Sequence, residues 1–220
     1  MLVTVRTTSI REIEVDSYED LVDFYPRFKG IRFNHVLSTK SSESNSNALT
    51  SSLDRLALKA IRSQSDLIIT TGKTARDESL RASNLAEMLI ITNDETLDIP
   101  ATREKASKRV LVTVDHLPTG SVAETIGSPG EDLVSWFRSK FGSTYESIVL
   151  ESGTETARVY AEASLIGEVC LTVTGTSVET VALEVASDYI QELGLRPNLI
   201  QTANSESTWL FRFKVNEESR

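Results

Sequence analysis

The sequence predicts an α/β fold: a mostly parallel central sheet flanked by helices, followed by an antiparallel C-terminal hairpin. Strand-like and helix-like segments alternate along most of the 220 residues. Four strand-like runs, residues 66–70, 87–93, 108–114 and 147–150, carry uninterrupted apolar stretches, which are typical of parallel strands buried on both faces. We therefore expect these four runs to be neighbouring strands of one sheet.

Local signals in the first part of the chain predict a helix, a strand, a loop and a second helix. Ser17 begins a capping-box pattern, and Pro26 ends the helix that this pattern starts. Residues 31–38 are predicted as a strand, and residues 39–47, rich in Ser and Asn, as a polar loop. Apolar residues at helical spacing then predict an amphipathic helix over residues 53–61.

The second half of the chain continues the alternation. Helical stripes and strand-like runs predict helices over residues 131–141, 153–164 and 178–193, and strands over residues 168–174, 197–204 and 207–215. The last two strands are joined by a short polar turn, so we expect an antiparallel hairpin at one edge of the sheet. No internal repeat and no long linker divides the chain, so we expect a single domain over residues 1–220.

Composition excludes several classes of protein. With 40% apolar and 25% charged residues, the chain is neither disordered nor collagen-like. No apolar run approaches the roughly 20 residues that cross a bilayer, and the N-terminus lacks the order of a secretory signal. One cysteine, Cys170, excludes an internal disulfide, and two histidines with one cysteine exclude the usual structural zinc sites. We expect a cytoplasmic protein without a bound metal.

Charge is distributed unevenly along the chain. The net charge of −9 argues against nonspecific binding to nucleic acid or to anionic membranes, because such binding depends on Lys and Arg. Residues 27–81 nevertheless hold ten basic residues against five acidic ones, which gives this segment +5 and the remainder −14. We expect this segment to hold a small anionic ligand; the alternative, that these charges are only solvated faces, stays open.

The most informative segment lies at residues 70–76, where a predicted strand gives way to a helix. Gly72 allows close approach of the backbone, the N–H groups at the helix start attract phosphate, and Lys73, Thr74 and Arg76 add donors. These features predict a phosphate site, although Gly followed by Lys and Thr is also an ordinary helix start. Common dinucleotide, P-loop, hydrolase and metalloprotease motifs are absent from the sequence.

A second turn of the same kind ends the strand that starts at residue 147, and it consists of Glu151, Ser152, Gly153 and Thr154. Ligands of open α/β sheets bind beyond the carboxyl ends of the strands, so we expect the two turns to face one crevice. Glu151 is the one carboxylate at the end of an apolar strand. We expect it either to have a raised pKa and an acid, base or orienting role, or to cap the next helix.

Several motifs occur in the order and spacing of one known family. They are residues 32–38, residues 53–55 leading to 61–66, residues 72–76, the Glu151-Ser152-Gly153 turn, residues 165–173 and residues 209–213. Over residues 18–215 the chain resembles the pyrimidine reductase domain of riboflavin biosynthesis, whose fold is similar to that of dihydrofolate reductase. The resemblance therefore implies a dihydrofolate reductase-like fold.

The resemblance also implies a homodimer that binds NADPH across the two turns and transfers hydride to a small-molecule substrate, in that family a phosphoribosylaminouracil. It assigns cofactor binding to Gly72, Lys73, Thr74, Arg76, Glu151, Ser152, Gly153 and Thr154, and substrate binding to Asn34, Ser38 and Lys40. It identifies no catalytic residue.

Two departures from the family pattern fall near the expected chemistry. Lys40 stands where the family has an aspartate that faces the substrate, which reverses the charge. Ser152 replaces the central glycine of a Glu-Gly-Gly turn, and a cis or positive-φ backbone there would add strain of about 1–4 kcal/mol. We therefore expect either a reductase with a changed substrate or a noncatalytic nucleotide-binding or structural relative.

Overall fold

The computed structural model describes residues 1–39, 51–127, 129–130 and 132–215. The strands within them are β1 (Leu2–Arg6), β2 (Ile10–Glu14), β3 (Gly30–Ser38), β4 (Leu67–Thr71), β5 (Glu87–Ile91), β6 (Val110–Val112), β7 (Glu124–Thr125), β8 (Ser147–Glu151), β9 (Ile166–Thr174), β10 (Pro197–Ser205) and β11 (Thr208–Val215). The helices are α1 (Ser52–Ser63), α2 (Gly72–Asp77), α3 (Pro100–Arg103), α4 (Leu133–Phe141), α5 (Thr154–Glu162) and α6 (Glu179–Glu192), together with a 3₁₀ helix at Tyr18–Leu21. None of the helices in this part of the chain is long and apolar enough to cross a membrane.

All these strands form one sheet in the order β2-β1-β10-β11-β9-β3-β8-β4-β5-β6-β7. The seven strands from β9 to β7 run parallel, and the four strands at the other side run antiparallel to their neighbours. The four apolar runs of the sequence became β4, β5, β6 and β8, which lie side by side at the expected places. The predicted mostly parallel sheet with an antiparallel C-terminal hairpin is confirmed.

Two apolar layers cover the two faces of this sheet. On one face, Leu53, Ala57 and Ile61 of α1 pack against the sheet together with the segment that follows the 3₁₀ helix. On the other face, α4, α5 and α6 supply aromatic side chains that include Phe137 and Tyr160. The parallel strands are thus covered on both sides, which explains why their sequences are apolar without alternation.

Two expectations about the ends of the chain were wrong. The helix predicted between Ser17 and Pro26 is only the short 3₁₀ helix, and Leu21 is its one buried residue. Phe24 and Tyr25 follow it in a turn, in which their N–H groups donate to the carbonyl oxygen of Leu21. The C-terminal hairpin is not at the sheet edge, because β1 pairs with β10 and β2 extends the sheet beyond it. The predicted loop over residues 39–47 lies outside the described residues except for Thr39.

A buried ionic cluster ties the segment after the 3₁₀ helix to the sheet. Glu168 of β9 accepts hydrogen bonds from Arg32 of β3 at 2.5 Å and from Arg212 of β11 at 3.0 Å. Arg32 also donates to the carbonyl oxygen of Pro26 at 2.7 Å, and Arg212 donates to that of Phe24 at 3.1 Å. One carboxylate thus holds two guanidinium groups, and these fix the chain that precedes β3.

Candidate functional site

The carboxyl ends of the parallel strands meet at one edge of the sheet, and a cavity of about 380 Å³ opens there. Its wall consists of the β4–α2 turn, the residues that follow β5, residues 129–130, the first residue of α4, and Thr156 in the first turn of α5. Thr156 lies two residues beyond the second predicted turn. The first turn thus lines the cavity, whereas the second segment reaches it only through Thr156, and none of the residues 151–154 is in its wall.

Another cavity, of about 400 Å³, lies between the N-terminal residues, the start of α1 and the β10–β11 turn. No lysine or arginine side chain is present among the described residues that line it. The cavity beside α2, in contrast, has Lys73 and Arg76 in its wall. Because Lys and Arg side chains bind phosphate through charge-assisted hydrogen bonds, we take the cavity beside α2 as the candidate site for an anionic nucleotide.

Gly72 is required by packing inside the protein. A Cβ atom at this position would lie 2.5 Å from Oγ1 and 2.6 Å from Cβ of Thr92, the residue that follows β5. Any side chain would therefore push the β4–α2 turn away from β5. The sequence analysis expected the missing side chain to allow approach of a ligand, and the structure shows that it allows approach of Thr92.

The start of α2 is capped from within. Thr71 accepts a hydrogen bond from the backbone N–H of Thr74 at 3.2 Å, and its hydroxyl donates to Oγ1 of Thr74 at 3.0 Å. Thr71 is thus an N-cap residue of the preferred type. The N–H group of Thr74 is occupied by this cap and is therefore not available to an anion.

Both basic side chains of α2 have a carboxylate partner. Lys73 donates to Asp77 at 2.6 Å, one turn later on the same helix, and this pair is exposed. Arg76 donates to Oδ2 of Asp94, which follows β5 and also lines the cavity. The pKa of Asp94 is lowered by the hydrogen bond from Thr92, at 2.6 Å, and by that from Arg76.

Glu151 forms a bidentate ion pair with Arg62, which lies in the last turn of α1. The two carboxylate oxygens accept from Nε at 2.8 Å and from Nη2 at 2.5 Å, and both side chains are largely buried. Glu151 therefore faces α1 and does not cap α5. The sequence analysis missed Arg62 as its partner, although Arg62 ends the apolar stripe of α1 and belongs to the basic segment 27–81.

Glu151 lies in a row of polar residues across three central strands. The register of β8 and β4 places Thr70 opposite Glu151. The register of β3 and β8, which aligns Phe33 with Leu150, places Asn34 beside Glu151 on its other side. The hydroxyl of Thr70 is buried and has no hydrogen-bond partner among the described residues. The structure thus brings together Asn34 and Glu151, which the resemblance assigned to substrate and cofactor respectively.

Ser38 and Lys40, the two other residues assigned to substrate binding, lie further along the chain than Asn34. Ser38 is the last residue of β3, is half-buried and lies opposite Thr174 of β9. Thr174 donates to the carbonyl oxygen of Leu37, so the ends of β3 and β9 are joined at this point. Lys40 lies outside the described residues.

The backbone of the second turn is unstrained. Ser152 is buried, its φ is not positive, and no cis peptide bond occurs in the described residues, so the strain considered for the serine does not arise. Gly153 is the N-cap of α5 with φ of −69°, no side chain caps this helix, and the space where a Cβ would lie is open. Thr154 forms a hydrogen bond with the hydroxyl of Tyr189 at 3.2 Å.

His35 of β3 is connected to the second turn through Tyr189. Its ring stacks on Tyr189 with ring centres 5.0 Å apart and on Phe33 at 5.8 Å. Burial lowers the pKa of His35 to about 4, so the imidazole is neutral at pH 7. A contact chain therefore runs from β3 through His35 and Tyr189 to Thr154. No signal in the sequence indicates it, since it depends on how α6 packs.

No protein-family model matches the chain, and no curated protein sequence matches it. Solved structures do. A pyrimidine reductase-like protein from Corynebacterium diphtheriae has a TM-score of 0.68 at 15% identity, covering 91% of this chain and 99% of its own. The riboflavin biosynthesis reductase of Saccharomyces cerevisiae has a TM-score of 0.58 at 12% identity, covering 86% of this chain and 90% of its own. The chain has the fold of these reductases.

The deaminase and uracil reductase of riboflavin biosynthesis from Thermotoga maritima has a TM-score of 0.63 at 12% identity. The match covers 90% of this chain and 60% of that protein, so the chain spans about three fifths of the bifunctional protein. The predicted pyrimidine reductase fold is confirmed. At these identities the likeness establishes the fold, and the activity has to be argued from the site.

Proposed function

We propose that the protein is a cytoplasmic, single-domain, NADPH-dependent reductase of a small molecule, similar to the pyrimidine reductases of riboflavin biosynthesis. The observation that carries the proposal is the cavity at the carboxyl ends of β4 and β5. It is lined by the β4–α2 turn and by Thr156 of α5, and has Lys73 and Arg76 in its wall. A cavity at this place suits a dinucleotide, because ligands of open α/β sheets bind beyond the carboxyl ends of the strands.

The residues present fit such a cofactor. Lys73 and Arg76 would bind phosphate groups through charge-assisted hydrogen bonds. The start of α5 would bind a second phosphate, since its N–H groups have no side-chain cap and the space beside Gly153 is open. The nicotinamide supplies the hydride when it is bound. The protein contributes the binding groups and the orientation of the two reactants.

The substrate is proposed to lie beside the polar row at the ends of β3 and β8. The amide of Asn34 both donates and accepts hydrogen bonds, whereas Glu151 only accepts them. Arg62 holds Glu151 from two directions, so its carboxylate is fixed in place. The row would therefore recognise a substrate with N–H or O–H groups. With Lys40 in place of the family's aspartate, we expect phosphoribosylaminouracil reduction to be undetectable and an anionic substrate to be preferred.

The homodimer remains part of the proposal. β1 pairs with β10 only at residues 202–204, so the first half of β10 extends past the end of β1. Leu199 and Ile200, in this first half, are about two fifths exposed. A second copy that adds its own β10 in antiparallel fashion would cover both side chains. Light scattering after size-exclusion chromatography measures whether the protein is a dimer. A monomeric mass at all protein concentrations would exclude the homodimer.

Titration with NADPH, followed by nicotinamide fluorescence, tests the proposed function. We expect saturable binding that weakens by roughly 1–3 kcal/mol in Lys73→Ala or Arg76→Ala, which is the usual worth of a charge-assisted hydrogen bond. Because the side chains of Lys73 and Arg76 are exposed to solvent, we expect both losses of binding free energy to lie near the lower end of this range. A protein that binds neither NADPH nor NADH would refute the proposal.

A second function, a noncatalytic nucleotide-binding or structural relative, is favoured by one observation. Both carboxylate oxygens of Glu151 accept hydrogen bonds from Arg62, so this carboxylate is committed to an ion pair within the protein. Assays of NADPH oxidation with a panel of small carbonyl and imine compounds distinguish the two functions. Binding of NADPH without turnover of any compound would support the noncatalytic relative.

A further inference from the structure

We propose that Asp94 is a specificity-determining residue of the cavity: it competes with a phosphate group for Arg76 and so lowers the preference for NADPH, which carries a 2′-phosphate, over NADH. The inference rests on the proposed function, because it concerns which nicotinamide dinucleotide the cavity accepts. It predicts that loss of the Asp94 charge strengthens binding of NADPH and does not strengthen binding of NADH. Neither the fold nor the family resemblance assigns a role to this residue.

Asp94 is held in the cavity wall from two directions. Its Oδ2 atom accepts a hydrogen bond from Nη1 of Arg76 and another from Oγ1 of Thr92, the latter at 2.6 Å. Its own backbone N–H donates to Oγ1 of Thr92 at 3.2 Å. Thr92 is in turn fixed against Gly72, where a Cβ atom would not fit. The carboxylate is thus placed by the same packing that shapes the β4–α2 turn.

A phosphate group and Asp94 compete for the same guanidinium. Nη1 of Arg76 already donates to Asp94, so binding of a phosphate by this group requires the ion pair to open or to be shared. The Asp94 carboxylate would also repel a phosphate dianion beside it. A ribose with a free 2′-hydroxyl neither competes for Arg76 nor is repelled by Asp94, because its hydroxyl can donate a hydrogen bond to the carboxylate. Many dinucleotide sites select NADH by this hydrogen bond between an acidic side chain and the ribose 2′-hydroxyl.

The ion pair of Lys73 does not have this effect. Asp77 lies on the same helix as Lys73, both side chains are more than half exposed, and Asp77 is not part of the cavity wall. Within the described part of the chain no threonine hydroxyl bonds to Asp77, so Lys73 can leave this exposed pair for a ligand at little cost. Among the described residues of the cavity wall, Asp94 is therefore the carboxylate that opposes a 2′-phosphate.

The test compares binding of NADPH and of NADH to the wild type and to Asp94→Asn by nicotinamide fluorescence. Asparagine keeps an oxygen that accepts from Thr92 and removes the charge. We expect the affinity for NADPH to rise about three- to tenfold, from loss of an exposed ion pair and of one like-charge repulsion. The affinity for NADH should stay unchanged or fall. Asp94→Ser, with a shorter neutral side chain, should change the two affinities in the same directions.

Asp98→Asn is the matched control, because Asp98 forms an exposed ion pair with Arg103 and lies outside the cavity wall. It makes the same charge change and should alter neither affinity. An unchanged NADPH affinity in Asp94→Asn, or an equal rise for both dinucleotides, would overturn the inference and leave the proposed function standing. If the wild type and all variants bind neither dinucleotide, the proposed function fails and the inference fails with it.

Discussion

At the scale of single residues, the environment of a side chain decides its role more than its type does. Gly72 and Gly153 both follow a central parallel strand, yet only Gly72 is confined, by Thr92. Similarly, Glu151 and Asp94 are both acidic residues at the edge of the sheet. The first is largely buried against Arg62, and the second is half exposed beside Arg76.

Gly72→Ala should destabilise the protein. The added methyl group would meet Thr92 at less than van der Waals distance, and overpacking of this kind costs about 1–3 kcal/mol. Chemical denaturation measures the free energy of unfolding. Gly153→Ser is the matched control, since Gly153 has open space and serine is a preferred N-cap, so its stability should stay equal or rise by a few tenths of a kcal/mol. Equal stability of Gly72→Ala and wild type would contradict the packing argument.

His35 should make the protein less stable as the pH falls from about 6.5 towards 4. Its pKa is about 4 in the folded chain, lowered by burial from 6.5, so the unfolded chain binds the proton first in this range. The stability linked to His35 is therefore complete above pH 6.5 and is lost on acidification. Melting temperatures of the wild type and His35→Phe across this range measure it, because carboxylates that titrate there affect both proteins alike. Parallel curves for the two proteins would show that the pKa of His35 is not lowered.

At the scale of elements, the sheet was predictable where burial alone sets the sequence pattern. The strands β4, β5, β6 and β8 are covered on both faces, so their apolar runs identified them. β1 and β2 were missed because neither has an uninterrupted buried run: β1 is fully buried only at alternate residues, and β2 is mostly exposed at the sheet edge. The hairpin was placed at an edge for the same reason, since its outer neighbour had not been recognised.

The cluster of Arg32, Glu168 and Arg212 joins three strands. The variant Glu168→Gln should show how much this cluster contributes to the free energy of unfolding. Both Arg32 and Glu168 are almost fully buried, so the variant leaves guanidinium groups without their carboxylate. Breaking a buried pair in this way costs about 3–5 kcal/mol. Denaturant unfolding measures the loss. Glu146→Gln, which removes an exposed partner of Lys29, should leave stability unchanged, and a similar loss in both variants would argue against a special role of the cluster.

At the scale of the whole molecule, the sequence indicated which turns lie at the carboxyl ends of the parallel strands, but it did not indicate the side-chain pairings there. Two strand-to-helix turns could be found in the sequence; the first lines the cavity, and the second segment reaches it only through Thr156. The partners of these residues come from elsewhere in the chain: Arg62 from α1, Asp94 from the residues after β5, and Tyr189 from α6. Such pairings depend on strand register and helix packing, which spacing in one sequence does not reveal.

The central claim is that a nicotinamide dinucleotide binds in the cavity between the β4–α2 turn and the start of α5. Hydrogen–deuterium exchange with and without saturating NADPH tests it most directly, because it locates the bound ligand on the chain. We predict slower exchange in peptides covering residues 71–77 and 153–158. Residues 143–146, which precede β8 at the amino ends of the parallel strands, should be unaffected. Protection confined to other segments, or none at all, would contradict the claim.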